Sequence, residues 1–350
     1  MKKTYLDNLV NPIIGLSPMD GVTDAPFRQI TAEIGNPSLI FTEFASVEGL
    51  ARNATALLQH FRYSEKERPI IAQLYGIEPE SFRVATIIAC FLGFDGIDIN
   101  MGCPAKKVSR RGAGAALITN TKLAEQIITS CKVGLTDFAE GIKLEDLELK
   151  TKMKNAISKL QKENGINADK LERKILPLSV KTRIGFDKPA VEDWFSFLAK
   201  QDLAMISIHG RTLKQMYGGE ADWANIAAAA KIIKKDSQAL VLGNGDITTR
   251  VEAIEHIKKY KVDGVLIGRA ALGNPWVFLG YNASKNERID LAIKHAKIHE
   301  VTYKPAAFSA FRRHLAAYIK DIRGAAKLRA KLMQVNNASE VAKLLKNSAR

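Results

Sequence analysis

The stretch Gly96-Ile97-Asp98-Ile99-Asn100-Met101-Gly102-Cys103-Pro104 opens on an apolar run and ends on a thiol in a tight turn. Gly96 to Ile99 reads as a buried strand, which puts Cys103 at the strand's C-terminal end, where α/β enzymes keep their chemistry. Lys106, Lys107, Arg110 and Arg111 follow, before Gly112-Ala113-Gly114-Ala115-Ala116 begins a small-residue helix. A thiol beside positive charge suits chemistry on an anionic substrate.

Seven further runs lie between the N-terminus and about Arg269: Ile13 to Leu16, Leu39 to Thr42, Ile70 to Leu74, Leu178 to Thr182, Met205 to Ile208, Ala239 to Leu242, and Gly264 to Ile267. Eight strands separated by helix-length segments predict an α/β fold, a (β/α)8 TIM barrel. Polar and glycine residues collect just after these runs. They are Ser17-Pro18-Met19, Glu43, Gln73, Asn100 to Cys103, Lys181-Thr182-Arg183, His209-Gly210-Arg211, Gly243-Asn244-Gly245-Asp246 and Gly268-Arg269. One face of the barrel is therefore expected to carry the site.

The 350 residues, 46% of them hydrophobic, suffice for a barrel with an appendage. The interval of about 132–175 is longer than one barrel unit needs and is rich in Lys and Glu. It reads as an insertion, helical over Leu144 to Glu163, forming an extra helical hairpin that is either a solvated spacer or an RNA contact. After about Tyr281 the strand signals stop. Leu291, Ile298 and Val301, then Phe308, Phe311, Leu315, Tyr318, Ile319 and Ile322, fall at helical spacing. The expected division is a barrel over 1–281 and a basic helical domain over 282–350.

The net charge is +15, and Lys285 to Arg350 holds 15 Lys or Arg against 5 Asp or Glu. Charge this lopsided points to a polyanion, most plausibly nucleic acid, with a solvated basic surface as the plain alternative. Cys90, Cys103 and Cys131 form no Cys-x-x-Cys pair, which argues against a disulfide framework and against a zinc site. No signal-peptide core and no membrane-length apolar run is found, so a cytoplasmic protein without a membrane partner is expected.

The glycine-bearing loops after the seventh and eighth runs sit where barrels bind a phosphate through backbone N–H groups, with Arg269 as a fixed cation. Lys181 can face an electron-rich cofactor edge, and Gln73 can hydrogen-bond a ring carbonyl or ring nitrogen, the groups a flavin requires. No Gly-x-Gly-x-x-Gly opens a βαβ unit, so FMN fits better than FAD or a Rossmann-bound nicotinamide. Cys103 can be a nucleophile or a general acid; beside a reduced flavin the acid role suits saturation of an activated carbon–carbon double bond.

The combination of Ser17 to Asp24, Ala72-Gln73-Leu74, Asp98 to Val108, Lys181-Thr182-Arg183, His209-Gly210-Arg211-Thr212, Asn244 to Ile247, Gly268 to Ala271 and Phe311 to Leu315 resembles the tRNA-dihydrouridine synthases, particularly their bacterial B-type branch. The resemblance implies FMN held by Pro18, Met19, Asp20, Gln73, Lys181, His209, Asn244, Gly245, Asp246, Gly268 and Arg269. It further implies NADPH as reductant, hydride delivery from the flavin to C6 of a uridine, and Cys103 as the proton donor to C5. The branch more often has Ala where Asp20 stands.

The substrate would be folded tRNA from which a uridine is extruded. Candidate RNA contacts are Lys106, Lys107, Arg110, Arg111, Arg183, Arg312, Arg313, Lys320, Arg323, Lys327, Arg329 and Lys331, and a monomer with no obligate protein partner is expected. Ribosomal RNA is the alternative substrate. A dihydroorotate-type dehydrogenase acting on a free pyrimidine is disfavoured because Ala105-Lys106-Lys107 follows the Cys-Pro turn in place of an Asn, and because of the basic tail. A non-catalytic RNA-binding barrel is disfavoured by the intact set of cofactor groups.

Overall fold

The computed structural model describes residues 4–303, 308–320 and 324–349. Its strands are β1 (Ile13–Leu16), β2 (Ile40–Phe41), β3 (Ala45–Ser46), β4 (Ile70–Tyr75), β5 (Gly96–Met101), β6 (Leu178–Gly185), β7 (Met205–Thr212), β8 (Leu240–Asn244) and β9 (Gly264–Ile267). All pair in parallel, and β1 joins both β9 and β2 while β2 also joins β4. Eight strands thereby close into a TIM barrel, each of the eight apolar runs supplying one. The short β3, which no run announces, pairs beside the end of β4.

The helices are α1 (Ala25–Gly35), α2 (Val47–Ala51), α3 (Pro79–Phe91), α4 (Lys106–Ser109), α5 (Thr121–Glu140), α6 (Thr151–Glu163), α7 (Val191–Ala199), α8 (Trp223–Asp236) and α9 (Arg250–Tyr260). Four more follow the barrel: α10 (Lys285–Thr302), α11 (Phe308–Tyr318), α12 (Ala325–Leu332) and α13 (Ala338–Ala349). Starts and stops follow local chemistry. Asp24 caps α1 by accepting from the Phe27 amide at 3.0 Å, and Asn120 caps α5 by accepting from that of Leu123 at 3.1 Å. Gly141 ends α5 at φ 105°, a conformation only glycine adopts cheaply.

Ile13, Leu39, Phe41, Ile71, Met205, Leu242 and Leu266 form a buried cluster of their own in the barrel, with Tyr5 and Leu9 packed against it. The larger apolar core lies between strands and helices. Parallel register then sets the tiers above: Gln73 is level with Asp98 and Asp98 with Ser179, while Asn100 is level with Lys181. Arg183, His209 and Asn244 are likewise level across β6, β7 and β8. Residues far apart in sequence therefore meet at one height.

The 132–175 interval differs from the expected hairpin. Helix α5 runs through its first residues, Leu144 to Asp146 and Ala168 to Lys170 each make a 3₁₀ turn, and α6 is the one added α-helix among the described residues. Met153, Ile157 and Leu160 bury its apolar face, Gln161 donates to the Phe91 carbonyl at 2.6 Å, and Asn164 donates to that of Phe61 at 3.0 Å.

Helices α10 to α13 share a second apolar cluster that includes Leu291, Phe311, Leu315, Tyr318, Leu332 and Val341, and also takes in Ile30 of α1 and Trp276. His295, His299 and His314 are buried there, with the His314 and Phe27 rings stacked at 5.5 Å. Arg323 and Ile322 lie outside the described residues. Among the described residues no helix is long and apolar enough to cross a membrane.

Candidate active site

The strand ends and the loops after them surround a cavity of about 830 Å³. That volume is within the roughly 300–1,000 Å³ of small-molecule sites. Its lining takes in Pro18, Met19 and Asp20, Asn100, Cys103, Lys181, His209, Asn244, Gly245, Asp246, Gly268 and Arg269. Strands β6 and β7 reach beyond their apolar runs, so Arg183, His209 and Arg211 stand on strand ends, not on loops.

The Cys103 turn is built by Asn100, whose Oδ1 accepts from the amides of Gly102 at 3.1 Å and Cys103 at 2.8 Å. Asn100 Nδ2 in turn donates to Gln73 Oε1 at 2.9 Å, and Gln73 Nε2 donates to Asp98 Oδ2 at 2.8 Å. Ser179 Oγ donates to the other Asp98 oxygen at 2.6 Å. Gln73 thus lies beneath the cavity lining, with its amide engaged on both sides. Burial raises Asp98 to about 6 against the hydrogen bonds from Ser179 and Gln73.

Burial also raises the Cys103 thiol above its ordinary value, helped by the Asp20 carboxylate and opposed by Arg183 and Lys181. The thiol is therefore protonated at neutral pH, which favours the acid over the nucleophile of the two sequence-derived roles. Lys106, Lys107, Arg110 and Arg111 are all exposed on and just after α4 beside it.

Lys181 is half-buried and donates to Asn244 Oδ1 at 3.1 Å. Burial, with Arg183 nearby, lowers it to about 8. Burial and the surrounding Lys181, Arg183, Arg211 and Arg269 hold His209 well below its ordinary value, so its ring is neutral. A half-buried cation and a neutral imidazole on one wall match the electron-rich edge of a flavin ring.

Beside His209, Asp246 is in the left-handed region at φ 58°, next to Gly245 at φ 133°. A Cβ on Gly245 would come 2.5 Å from that of Ala221, and one on Gly268 would fill the space beside Met19 Sδ at 3.4 Å. The Asp246 carboxylate accepts from Arg211 at 2.7 and 3.0 Å, from Arg269 at 2.8 Å and from the Ala221 amide at 2.8 Å. Partial burial works against its ionisation, but these hydrogen bonds and charges outweigh it and hold the carboxyl below the usual range. Asp246 therefore fixes Arg269 at the rim, and the two glycines leave the backbone open to a phosphate. These residues fit FMN.

Several sequence-derived RNA contacts are engaged within the chain. Arg183 is 2% exposed and donates to the carbonyls of Gly102 at 2.7 Å, Thr212 at 3.0 Å and Met216 at 3.0 Å. Arg312 donates to the Val335 carbonyl at 2.9 Å and to Asn336 Oδ1 at 2.8 Å, while Arg313 donates to the Gly21 carbonyl at 2.6 Å. Lys320, Lys327, Arg329 and Lys331 are exposed. The cavity lining also includes Phe44, Met216 and Tyr217, which the sequence reading passed over; an aromatic in a glycine-bearing loop just after His209-Gly210-Arg211 was the available signal.

Among solved structures, a DHODH from Eimeria tenella in complex with ferulenol is 13% identical with a TM-score of 0.48, covering 80% of this chain and 81% of that one. A probable tRNA-dihydrouridine synthase of Staphylococcus epidermidis is 32% identical over 354 residues, which span 99% of this chain and 96% of that protein. Probable tRNA-dihydrouridine synthase 2 of Bacillus subtilis (strain 168) is 32% identical over 360 residues, spanning 100% and 98%. The sequence model of the family described as dihydrouridine synthase (Dus) matches residues 15–137 and 150–350, and the internal gap, 138–149, covers the end of α5 and the connection to α6. On this whole-length match the chain belongs to the dihydrouridine synthase family.

Proposed function

We propose that the protein is a tRNA-dihydrouridine synthase, an FMN-dependent and NADPH-driven oxidoreductase that saturates the C5–C6 double bond of specific uridines in tRNA. The observation that carries this reading is a thiol held protonated on the wall of a cavity that also presents a half-buried lysine and a glycine-lined anion site. FMN bound there and reduced by NADPH supplies the hydride that goes to C6.

The residues of the chain do the rest. Gly245, Gly268 and Arg269 would hold the phosphate, while Lys181 and His209 would face the ring. Cys103 Sγ gives its proton to C5 of the uridine and regains one from solvent, so the base gains two hydrogens and NADPH leaves as NADP⁺. Asn100 holds the turn that aims the thiol. The uridine must leave its stack to enter the cavity, and the exposed cations of α4 and of the C-terminal helices are suited to hold the RNA backbone around it.

The test is nucleoside mass spectrometry of unmodified tRNA incubated with the protein, FMN and NADPH. Uridine that gains two hydrogens is the expected result. No gain on tRNA with a gain on ribosomal RNA would move the substrate. No gain on either, with NADPH consumed and free pyrimidine reduced, would replace the reading with a small-molecule dehydrogenase.

A further inference from the structure

Tyr217 is 62% exposed at the mouth of the cavity, and Met216 beside it is 38% exposed. Exposed aromatic surface has a cost in water, and such residues mark sites of contact when they are held in place. The loop that carries Tyr217 is held in an unusual way. Arg183 donates to the Met216 carbonyl at 3.0 Å, and Arg211 donates to the carbonyl of Gly218 at 3.1 Å and to that of Gly219. Both arginines are 2% exposed.

Above them the loop is closed by the Met216 amide on the Leu213 carbonyl at 2.9 Å and the Gly218 amide on the Gln215 carbonyl at 2.7 Å. Met216 itself is at φ 50°, a strained conformation for a side chain that is not glycine or asparagine. Two buried cations and a strained residue thus fix the backbone on either side of one ring left open to solvent. The same Arg183 donates to the Gly102 carbonyl at 2.7 Å, so the ring and the Cys103 turn share one anchor.

We propose that Tyr217 is a stacking platform for a base of the RNA substrate, a neighbour of the extruded uridine, placed at the rim of the cavity. Its occupant is an RNA base because the lining of the same cavity is continued by Ala105 into exposed Lys106, Lys107, Arg110 and Arg111, charges that suit a polyanionic backbone passing over the mouth. A rigid aromatic receives any base face without ordering itself first, and Arg183 keeps that face in register with the acid. This inference rests on the RNA-modifying reading of the site.

The test compares Tyr217→Ala, Tyr217→Phe and Tyr217→Trp in the full-length, flavin-loaded protein. Tyr217→Ala is expected to raise the tRNA KM by about 5- to 150-fold, the range of one lost base–aromatic stack, with the NADPH KM and flavin content unchanged. Tyr217→Phe keeps tRNA KM within about twofold of wild type, since the ring and not the hydroxyl stacks. Tyr217→Trp gains a fluorescence component, relative to wild type, that tRNA quenches and NADPH does not. A wild-type tRNA KM in Tyr217→Ala, a rise confined to NADPH KM, or a Phe variant as poor as the Ala one overturns the platform. Failure of the wild-type protein itself to form dihydrouridine in any RNA overturns the functional reading first and the platform with it.

Discussion

The Cys103 amide donates to Asn100 Oδ1 at 2.8 Å, so the turn of the proposed proton donor is tied through Asn100 and Gln73 to a buried acid, Asp98. Cys103→Ala leaves that turn and the cavity walls intact. Turnover on unmodified tRNA is expected to fall by roughly 10²- to 10⁴-fold, the usual worth of a positioned acid, with flavin content unchanged. Because burial raises the thiol, the wild-type rate should not lose its acid as pH passes the ordinary thiol value of about 8.5. A pH–rate profile at saturating tRNA measures both; an unimpaired Ala variant removes the acid role.

Lys181 is charged below about 8 and neutral above it in the flavin-free protein. Flavin affinity is therefore expected to weaken as pH rises through that value, because the cation proposed to face the ring is lost. Lys181→Met should weaken flavin binding about tenfold or more and abolish this pH step, since one unit of pKa corresponds to about 1.4 kcal/mol. Equilibrium titration of flavin fluorescence from pH 6.5 to 9.5 measures it. A step that survives in Lys181→Met would assign it to another group.

The barrel was legible because its strands are apolar runs of standard length, and each run marks the place of one closing strand. Less legible was which way the polar residues at their ends turn. Arg183 follows Lys181 and reads as another cation for RNA, yet the parallel register sets it level with His209, where neighbouring carbonyls take up its guanidinium. Arg312 and Arg313, less buried, also donate to backbone carbonyls, acceptors that leave no mark in a sequence. Val301 fits the helical apolar spacing but is 89% exposed near the end of α10. The residues around Cys103 left nucleophile and general acid both open, while burial, which the sequence does not display, raises the thiol and favours the acid.

Arg313 joins α11 to the Gly21 turn, whose amide donates to the buried Glu43 at 2.6 Å. That turn carries Met19 and Asp20, so the last helices brace one wall of the cavity. Arg313→Ala is expected to weaken flavin binding about fivefold, the loss of roughly 1 kcal/mol from a single charge-assisted hydrogen bond. The salt dependence of tRNA binding should stay as in wild type. Unchanged flavin affinity with a shallower salt slope would return Arg313 to the RNA-contacting set.

His295, His299 and His314 are buried, and His295 Nε2, His299 Nδ1 and His314 Nδ1 have no hydrogen-bond partner among the described residues. Burial lowers His299 to about 4 and His314 to about 3, and lowers His295 as well. Below the unfolded value of about 6.5 the unfolded chain binds more protons than the folded one, so stability falls with pH, by up to about 1.4 kcal/mol per histidine for each unit. Urea unfolding between pH 7.5 and 5.0 is expected to show the loss beginning near 6.5, and His314→Leu should reduce its slope. Stability that is flat over this range would mean the three rings are solvated in the native state.

Of the candidate RNA contacts on the C-terminal helices, Lys320, Lys327, Arg329 and Lys331 are exposed, while Arg312 and Arg313 also donate to carbonyls of the chain. A lysine that meets a phosphate releases a counterion, so each such contact adds about 0.7 to 0.9 to the slope of log affinity against log salt. Replacing Lys327, Arg329 and Lys331 with Gln is expected to flatten that slope by about 2 to 3 and to weaken binding alike for every tRNA sequence. NADPH oxidation in the absence of RNA should be unaffected, because none of the three lines the cavity. An unchanged slope would shift the grip to Lys106, Lys107, Arg110 and Arg111 beside the acid turn, where the matching quadruple substitution should flatten it instead.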